Sequence, residues 1–237
     1  KQMPIDVKLS TEADAALVAK LKPDSIVVAT GARREAPAIK GAEQKHVWSG
    51  DELRRLMTGD RADEIAKAKL GLAERAMFKA GGMLRVTDST QALQSLSKLW
   101  MPLGKQVVII GGGLVGLELA EFLLARGRQV TVLEPGTHPG PELPIVRRWR
   151  VVEAVTAHGT LKLKAQVREI TRNAVLWQDA KGVEQSTPAD SVVLAIGAEA
   201  DDRVATALAA CGVPVHRIGD CAGVNYIEGA MHDGNRV

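Results

Sequence analysis

Residues 105–134, KQVVIIGGGLVGLELAEFLLARGRQVTVLE, constrain this chain more than any other stretch. An apolar, β-branched run, QVVII, reads as a buried strand, and GGGLVGLELAEFLLARG reads as a helix stopped by Gly127. QVTVLE then reads as a second strand, which completes a βαβ unit and implies a parallel sheet. Gly111, Gly113 and Gly116 form G-x-G-x-x-G at the strand-to-helix turn. The first glycine permits the tight turn, the second lets backbone approach a pyrophosphate, and the third lets helix pack on strand. Gly112, Leu114 and Val115 complete the loop, whose backbone N–H groups lie at the positive end of the helix. Glu134 ends the next strand about twenty residues on, where an acid accepts hydrogen bonds from an adenosine ribose. The competing reading is that the glycines serve close packing alone.

A carboxylate at Glu134 repels the 2′-phosphate of NADP, so NAD is the expected nucleotide. The rival is that Arg147, Arg148 and Arg150 fold back onto that phosphate, although a basic helical run is more often a solvated face. Glu118, early in the helix, is either a nicotinamide-side contact or an acid stabilised by the helix dipole. No group is assigned a catalytic role. The five histidines have no metal-ligand spacing, so no metal site is expected, and His232 beside Asp233 is read as a surface histidine rather than an acid–base pair.

A repeat lies outside this unit. DSIVVATGA at 24–32 and DSVVLAIGA at 190–198 agree at six of nine positions, and each reads as a buried parallel strand ending in a tight turn at Gly31 or Gly197. Two such strands near the two ends suggest two related α/β units. Between them, 51–79 and 87–99 read as long helices, with Asp51 and Thr87 as caps and Gly81-Gly82 as a stop. Arg147 to His158 reads as another helix. Three stretches after it, at 161–167, at 174–177 and before Asp190, read as an antiparallel meander. A last strand, VPVHRIGD, leads through Gly219-Asp220 into a helix.

Composition excludes several classes. Hydrophobic residues make up 46% and charged residues 25%, the balance of a folded soluble chain rather than a disordered or fibrous one. Glu118 and Glu121 interrupt the longest apolar stretch, so no membrane span is expected. A net charge of +3 and seven aromatics not interleaved with basic clusters make nucleic acid an unexpected partner. Two cysteines, Cys211 and Cys221, cannot supply a disulfide framework or an iron–sulfur cluster, which suits a reducing compartment, the cytoplasm. The opening at Lys1 rather than Met and the stop at Val237 inside a helix-like run lead us to expect a piece of a longer polypeptide.

The segments ATGA at 29–32, GGGLVGLELAEFL with the distal Glu134, VLAIGA at 193–198 and IGDC at 218–221 occur in the order seen in flavoprotein reductases of glutathione reductase architecture. Their wording most resembles the C-terminal half of the trimethylamine dehydrogenase and 2,4-dienoyl-CoA reductase group of NADH:flavin oxidoreductases. That resemblance implies an α/β fold in which a Rossmann-like NAD(P)-binding domain, residues 42–199, with a parallel sheet and an antiparallel meander, is inserted in a partial FAD-binding domain, residues 1–41 and 200–237. It implies NAD(H) on Gly111 to Gly116, Glu134 and Gly197, and FAD near Thr30, Gly31, Gly219 and Asp220, with the Asp220 carboxylate on the ribitol. No glycine-rich loop in residues 1–41 supplies the FAD pyrophosphate cradle, so that site is incomplete. The implied activity is binding NAD(P)H and positioning it for hydride transfer to FAD, with electrons passing on to an FMN and 4Fe-4S barrel. That barrel, an N-terminal part of the same polypeptide, and the remaining FAD-domain segment are the expected partners, and the isolated chain is expected to be inactive. The alternative is a non-catalytic module that holds ADP or NAD structurally, with electrons leaving through a docked carrier protein.

Overall fold

The computed structural model describes residues 4–33, 38–58, 61–83 and 101–237. The chain divides into two compact units, one of Ala36–Gly197 and one of Lys1–Glu35 with Ala198–Val237.

The larger unit is built on a five-stranded parallel sheet of β3 (Val47–Ser49), β10 (Ser191–Leu194), β4 (Gln106–Ile110), β5 (Gln129–Glu134) and β6 (Thr160–Leu163), in that spatial order. Every pairing in it is parallel. Side chains alternate across a strand, so a strand buried on both faces is apolar throughout. That is why residues 107–110 and 192–194 are continuous apolar runs. Val107 and Ile109 of β4, Val130 and Val132 of β5 and Val193 of β10 face one core, shared with Leu117, Ala120 and Leu123 of α5 (Leu114–Leu124) and Val151 and Val155 of α6 (Ile145–His158). Val108, Ile110, Leu133, Val192 and Leu194 face the other, shared with Ile170, Val175 and Trp177. Those three residues belong to an antiparallel meander of β7 (Gln166–Ile170), β8 (Ala174–Gln178) and β9 (Glu184–Pro188). This unit is therefore helices on one face of a parallel sheet and a meander on the other.

Four local features differ from the expectation. The alternating run at 161–167 is not one strand of the meander. Thr160–Leu163 is the edge strand of the parallel sheet, Lys164 turns the chain with a φ of +54°, and the meander begins at Gln166. The helix expected over 51–79 is three helices, α2 (Gly50–Thr58), α3 (Ala62–Lys69) and α4 (Leu72–Met83). Extended backbone at Leu70 ends α3, and the Gly71 N–H is taken by the Glu74 carboxylate that opens α4. Helix α4 also runs through Gly81 and Gly82, which do not stop it. The cap before α2 is Ser49, not Asp51: the Glu52 N–H donates to Ser49 Oγ and the Ser49 N–H to Glu52 Oε2, a reciprocal capping box. The helix expected at 87–99 lies outside the described residues.

The smaller unit contains a parallel pair, β1 (Ile26–Val28) and β12 (Val215–Arg217), and an antiparallel pair, β2 (Ala32–Arg33) and β11 (Glu199–Ala200). Asp14 caps α1 (Ala15–Leu21) by accepting from the Leu17 N–H at 2.8 Å. Its core is small: Val28, Cys221, and Ala205 and Leu208 of α7 (Arg203–Ala209). The buried Cys221 thiol donates to the Val28 carbonyl. A short 3-10 turn, Gly219–Cys221, and α8 (Tyr226–Gly234) follow β12. Among the described residues no helix is long and apolar enough to cross a membrane.

Candidate nucleotide site

In an open parallel sheet, ligands bind beyond the carboxyl ends of the strands where the strand order reverses. Here β4 is followed by β5 on one side while β10 returns on its other side. The turn Gly111 to Gly113 leaves β4 at that place and opens α5.

The three motif glycines have different reasons to be glycine. Gly111 has a φ of +108°, and a Cβ there would stand 2.5 Å from the Ala195 carbonyl oxygen. A Cβ at Gly116 would stand 1.9 Å from the Gly111 carbonyl oxygen. Close packing thus accounts for both. It does not account for Gly113, whose φ is −73° and whose Cβ would have the Glu142 carboxylate as its nearest neighbour, at 3.2 Å. What Gly113 leaves open is the approach to the first N–H groups of α5, the helix end that attracts anions.

Glu134 is fixed against this loop. Its Oε2 accepts the Gly112 N–H at 2.6 Å and its Oε1 accepts the Gly136 N–H at 2.7 Å. Each oxygen keeps acceptor capacity for a further donor, as two vicinal ribose hydroxyls would provide. A residue that no motif marks joins the site. Glu142, on the loop between β5 and α6, accepts the Leu114 N–H at 3.3 Å. No local signal marks it, because the contact spans 28 residues and is made by a turn that packs Gly140 against Gly112, N–H to carbonyl, at 2.8 Å.

Glu118 is exposed at the second turn of α5 and lies 3.4 Å from Arg147, which also donates to Glu121 at 2.6 Å. The Arg147 hydrogen bond holds the Glu121 carboxyl below the usual carboxylate range, and Glu121 in turn raises the Arg147 pKa. Arg147 thereby ties α6 to α5. Val115 is exposed, and Gly197, beyond the end of β10, is exposed with open space around its Cα.

The residues expected near a flavin lie in the smaller unit. Asp220 Oδ1 accepts the N–H groups of Asn225 and Tyr226 at 3.1 and 2.9 Å, at the start of α8. Gly219 is buried at a φ of +64° and donates its N–H to Asp233. Thr30 is exposed, and Gly31 has a φ of +81°. His232 pairs loosely with Glu228, at 4.0 Å, rather than with its neighbour Asp233.

Residues 6–225 match the family model for pyridine nucleotide-disulphide oxidoreductases. Bilirubin reductase of Mediterraneibacter gnavus is 30% identical over 222 residues, which are 93% of this chain and 28% of that protein. NADH oxidase of Thermoanaerobacter brockii is 27% identical over 235 residues, 98% of this chain and 30% of that protein. The chain thus spans less than a third of the length of either relative. Among solved structures, a 2-naphthoyl-CoA reductase complex superposes with a TM-score of 0.65 at 28% identity, covering 97% of this chain and 29% of that one. The 6-hydroxypseudooxynicotine amine oxidase of Pseudomonas geniculata shares the fold, with a TM-score of 0.66 at 21% identity over 99% of this chain and 31% of that one.

Proposed function

The chain belongs to the pyridine nucleotide-disulphide oxidoreductase family, and from that premise we propose that Ala36–Gly197 is its nicotinamide dinucleotide-binding unit. The observation that carries this reading is Gly113: neither backbone conformation nor packing requires a glycine there, whereas a pyrophosphate seated on the α5 N-terminus does. The loop N–H groups would hold the pyrophosphate, and Glu134, already oriented by Gly112 and Gly136, would accept from the adenosine ribose hydroxyls. NAD(H) is favoured over NADP(H) because Glu134 faces the 2′ position with a negative charge.

We further propose that the chain is part of a longer polypeptide of the NADH:flavin oxidoreductase kind, with FMN and 4Fe-4S in another part of it. The family match and the similarity to an NADH oxidase support the use of NADH, and the similarity to a 2-naphthoyl-CoA reductase supports a reductase. When both cofactors are bound, the chemistry they supply is hydride transfer from reduced nicotinamide to flavin. This chain's residues would bind and orient: the α5 N-terminus would hold the pyrophosphate, Glu134 would fix the adenosine end, and Asp220, its Oδ1 held by two backbone N–H groups, would offer Oδ2 to the flavin's ribityl chain.

Calorimetric titration of the chain with NADH tests the loop assignment. Gly113→Val should fold, since the atoms nearest its Cβ belong to a side chain that can swing away, and should abolish NADH binding by filling the pyrophosphate approach. A folded Gly113→Val protein with unchanged NADH affinity would refute the assignment. Mixing NADH with the full-length flavoprotein without oxygen then separates turnover, in which flavin absorbance bleaches, from a purely structural nucleotide.

A further inference from the structure

We propose that Glu142 is a built-in competitor of the dinucleotide: its carboxylate occupies the anion seat at the start of α5 and must swing out before a pyrophosphate can enter. The proposal rests on the reading of the Gly111 to Gly116 loop as the nucleotide site and adds to it a side chain that sets the affinity.

The start of α5 has no cap of its own. Gly113 stands at the N-cap position and supplies no side-chain acceptor. The first N–H groups of a helix need acceptors, and the aligned peptide dipoles favour a negative one. Glu142 meets that need from a distant loop, with Oε2 3.3 Å from the Leu114 nitrogen and Oε1 3.2 Å from where a Gly113 Cβ would stand. The space that the glycine leaves open is therefore the space the carboxylate fills.

The loop is fixed on both sides of Glu142 while the side chain itself is not. Gly140 is buried at a φ of +53°, and a Cβ there would be 2.8 Å from both Leu117 and Leu143. Its N–H is bonded to the Gly112 carbonyl, and Leu143 is buried in the helix-side core. Glu142 is exposed and is held by one long hydrogen bond. Rotation of its side chain would vacate the seat with no movement of backbone. A carboxylate and a pyrophosphate repel and share the same donors, so occupancy is exclusive. In the free protein Glu142 stabilises α5; toward a dinucleotide it lowers affinity by the free energy of that same contact.

Glu142→Ala and Glu142→Gln, compared with the unaltered chain, test the proposal by titration with NADH and with inorganic pyrophosphate. A carboxylate at a helix start corresponds to a factor of about two to five in an equilibrium constant. Both variants should bind NADH and pyrophosphate about two to five times more tightly. Both should melt at lower temperature than the unaltered chain without ligand, and the deficit should disappear at saturating NADH. Glu153→Gln, an exposed acid elsewhere on α6, should change neither. Unchanged or weakened NADH binding in both Glu142 variants, in a chain that binds NADH and loses it in Gly113→Val, would overturn the role of Glu142 and leave the loop assignment standing. Equal tightening by Glu153→Gln would reduce the effect to general charge and overturn it as well. If no form of the chain binds NADH, the loop assignment fails and this inference fails with it.

Discussion

The same nine-residue pattern occurs once in each unit, with opposite outcomes. In the larger unit DSVVLAIGA yields β10, hydrogen-bonded to β3 on one side and β4 on the other, with all four residues buried. In the smaller unit DSIVVATGA yields β1, three residues long, which among the described residues pairs with β12 alone. Val193 is fully buried, while Val27 at the same place in the pattern is 47% exposed. Six identical residues in nine set strand propensity and the glycine stop in both copies, but neighbours decide whether a strand is core.

Two single substitutions can break that comparison. Val193→Ala removes apolar volume from a site with the helix-side core around it, and should cost about 2 to 3 kcal/mol in chemical denaturation of the larger unit. Val27→Ala removes the same atoms from a half-exposed site and should cost under about 0.5 kcal/mol. Equal costs would mean that β1 is as buried in solution as β10.

A carboxylate at or just after the end of a strand in each unit sharpens the contrast. Glu134 spreads its two backbone hydrogen bonds over both oxygens, whereas Asp220 takes both on Oδ1. Glu134 is thus oriented to present two acceptors side by side. The chain should prefer NADH over NADPH by at least about tenfold, or roughly 1.4 kcal/mol. Glu134→Arg should shrink or reverse the preference by replacing repulsion of the 2′-phosphate with attraction. Glu134→Gln removes the charge but keeps one acceptor for the loop, and should shrink it without reversing it. Titrations giving equal NADH and NADPH affinities in all three proteins would remove Glu134 from the adenosine site.

The βαβ unit was legible because its signals are local: an unbroken apolar run, three glycines at fixed spacing and an acid at the end of the next strand. The reversal of strand order beside it was not, since β10 reaches β4 from more than eighty residues away. The Ser49–Glu52 capping box is legible as Ser-x-x-Glu, but Asp51 beside it presents an equally acceptable cap residue type. The run at 161–167 does not show its break, because alternation is the mark of any half-buried strand and nothing in LKLKAQV announces that Lys164 turns the chain. Arg147 on Glu118 and Glu142 on Leu114 join residues 29 and 28 apart, and contacts of that kind follow from how a loop packs rather than from spacing.

The glycines that end the two repeats give the finest test. Both copies close on Gly-Ala, which reads as the same turn twice, yet the backbones differ. Gly31 has a φ of +81°, a region that costs a residue with a Cβ about 1 kcal/mol or more, while Gly197 does not lie at positive φ. Neither would bring a Cβ within 4 Å of another group, so sterics with neighbours cannot obscure the comparison. Gly31→Ala should therefore destabilise the smaller unit by about 1 kcal/mol through backbone strain alone. Gly197→Ala should leave stability unchanged to within about 0.5 kcal/mol, because alanine restricts the unfolded chain and strains nothing. Its readout is the nucleotide instead: if the dinucleotide passes over the end of β10, the added methyl should weaken NADH binding in a protein of unaltered melting temperature. Loss of stability in Gly197→Ala equal to that in Gly31→Ala would show that the two turns share one conformation, and that the repeat extends from sequence into backbone.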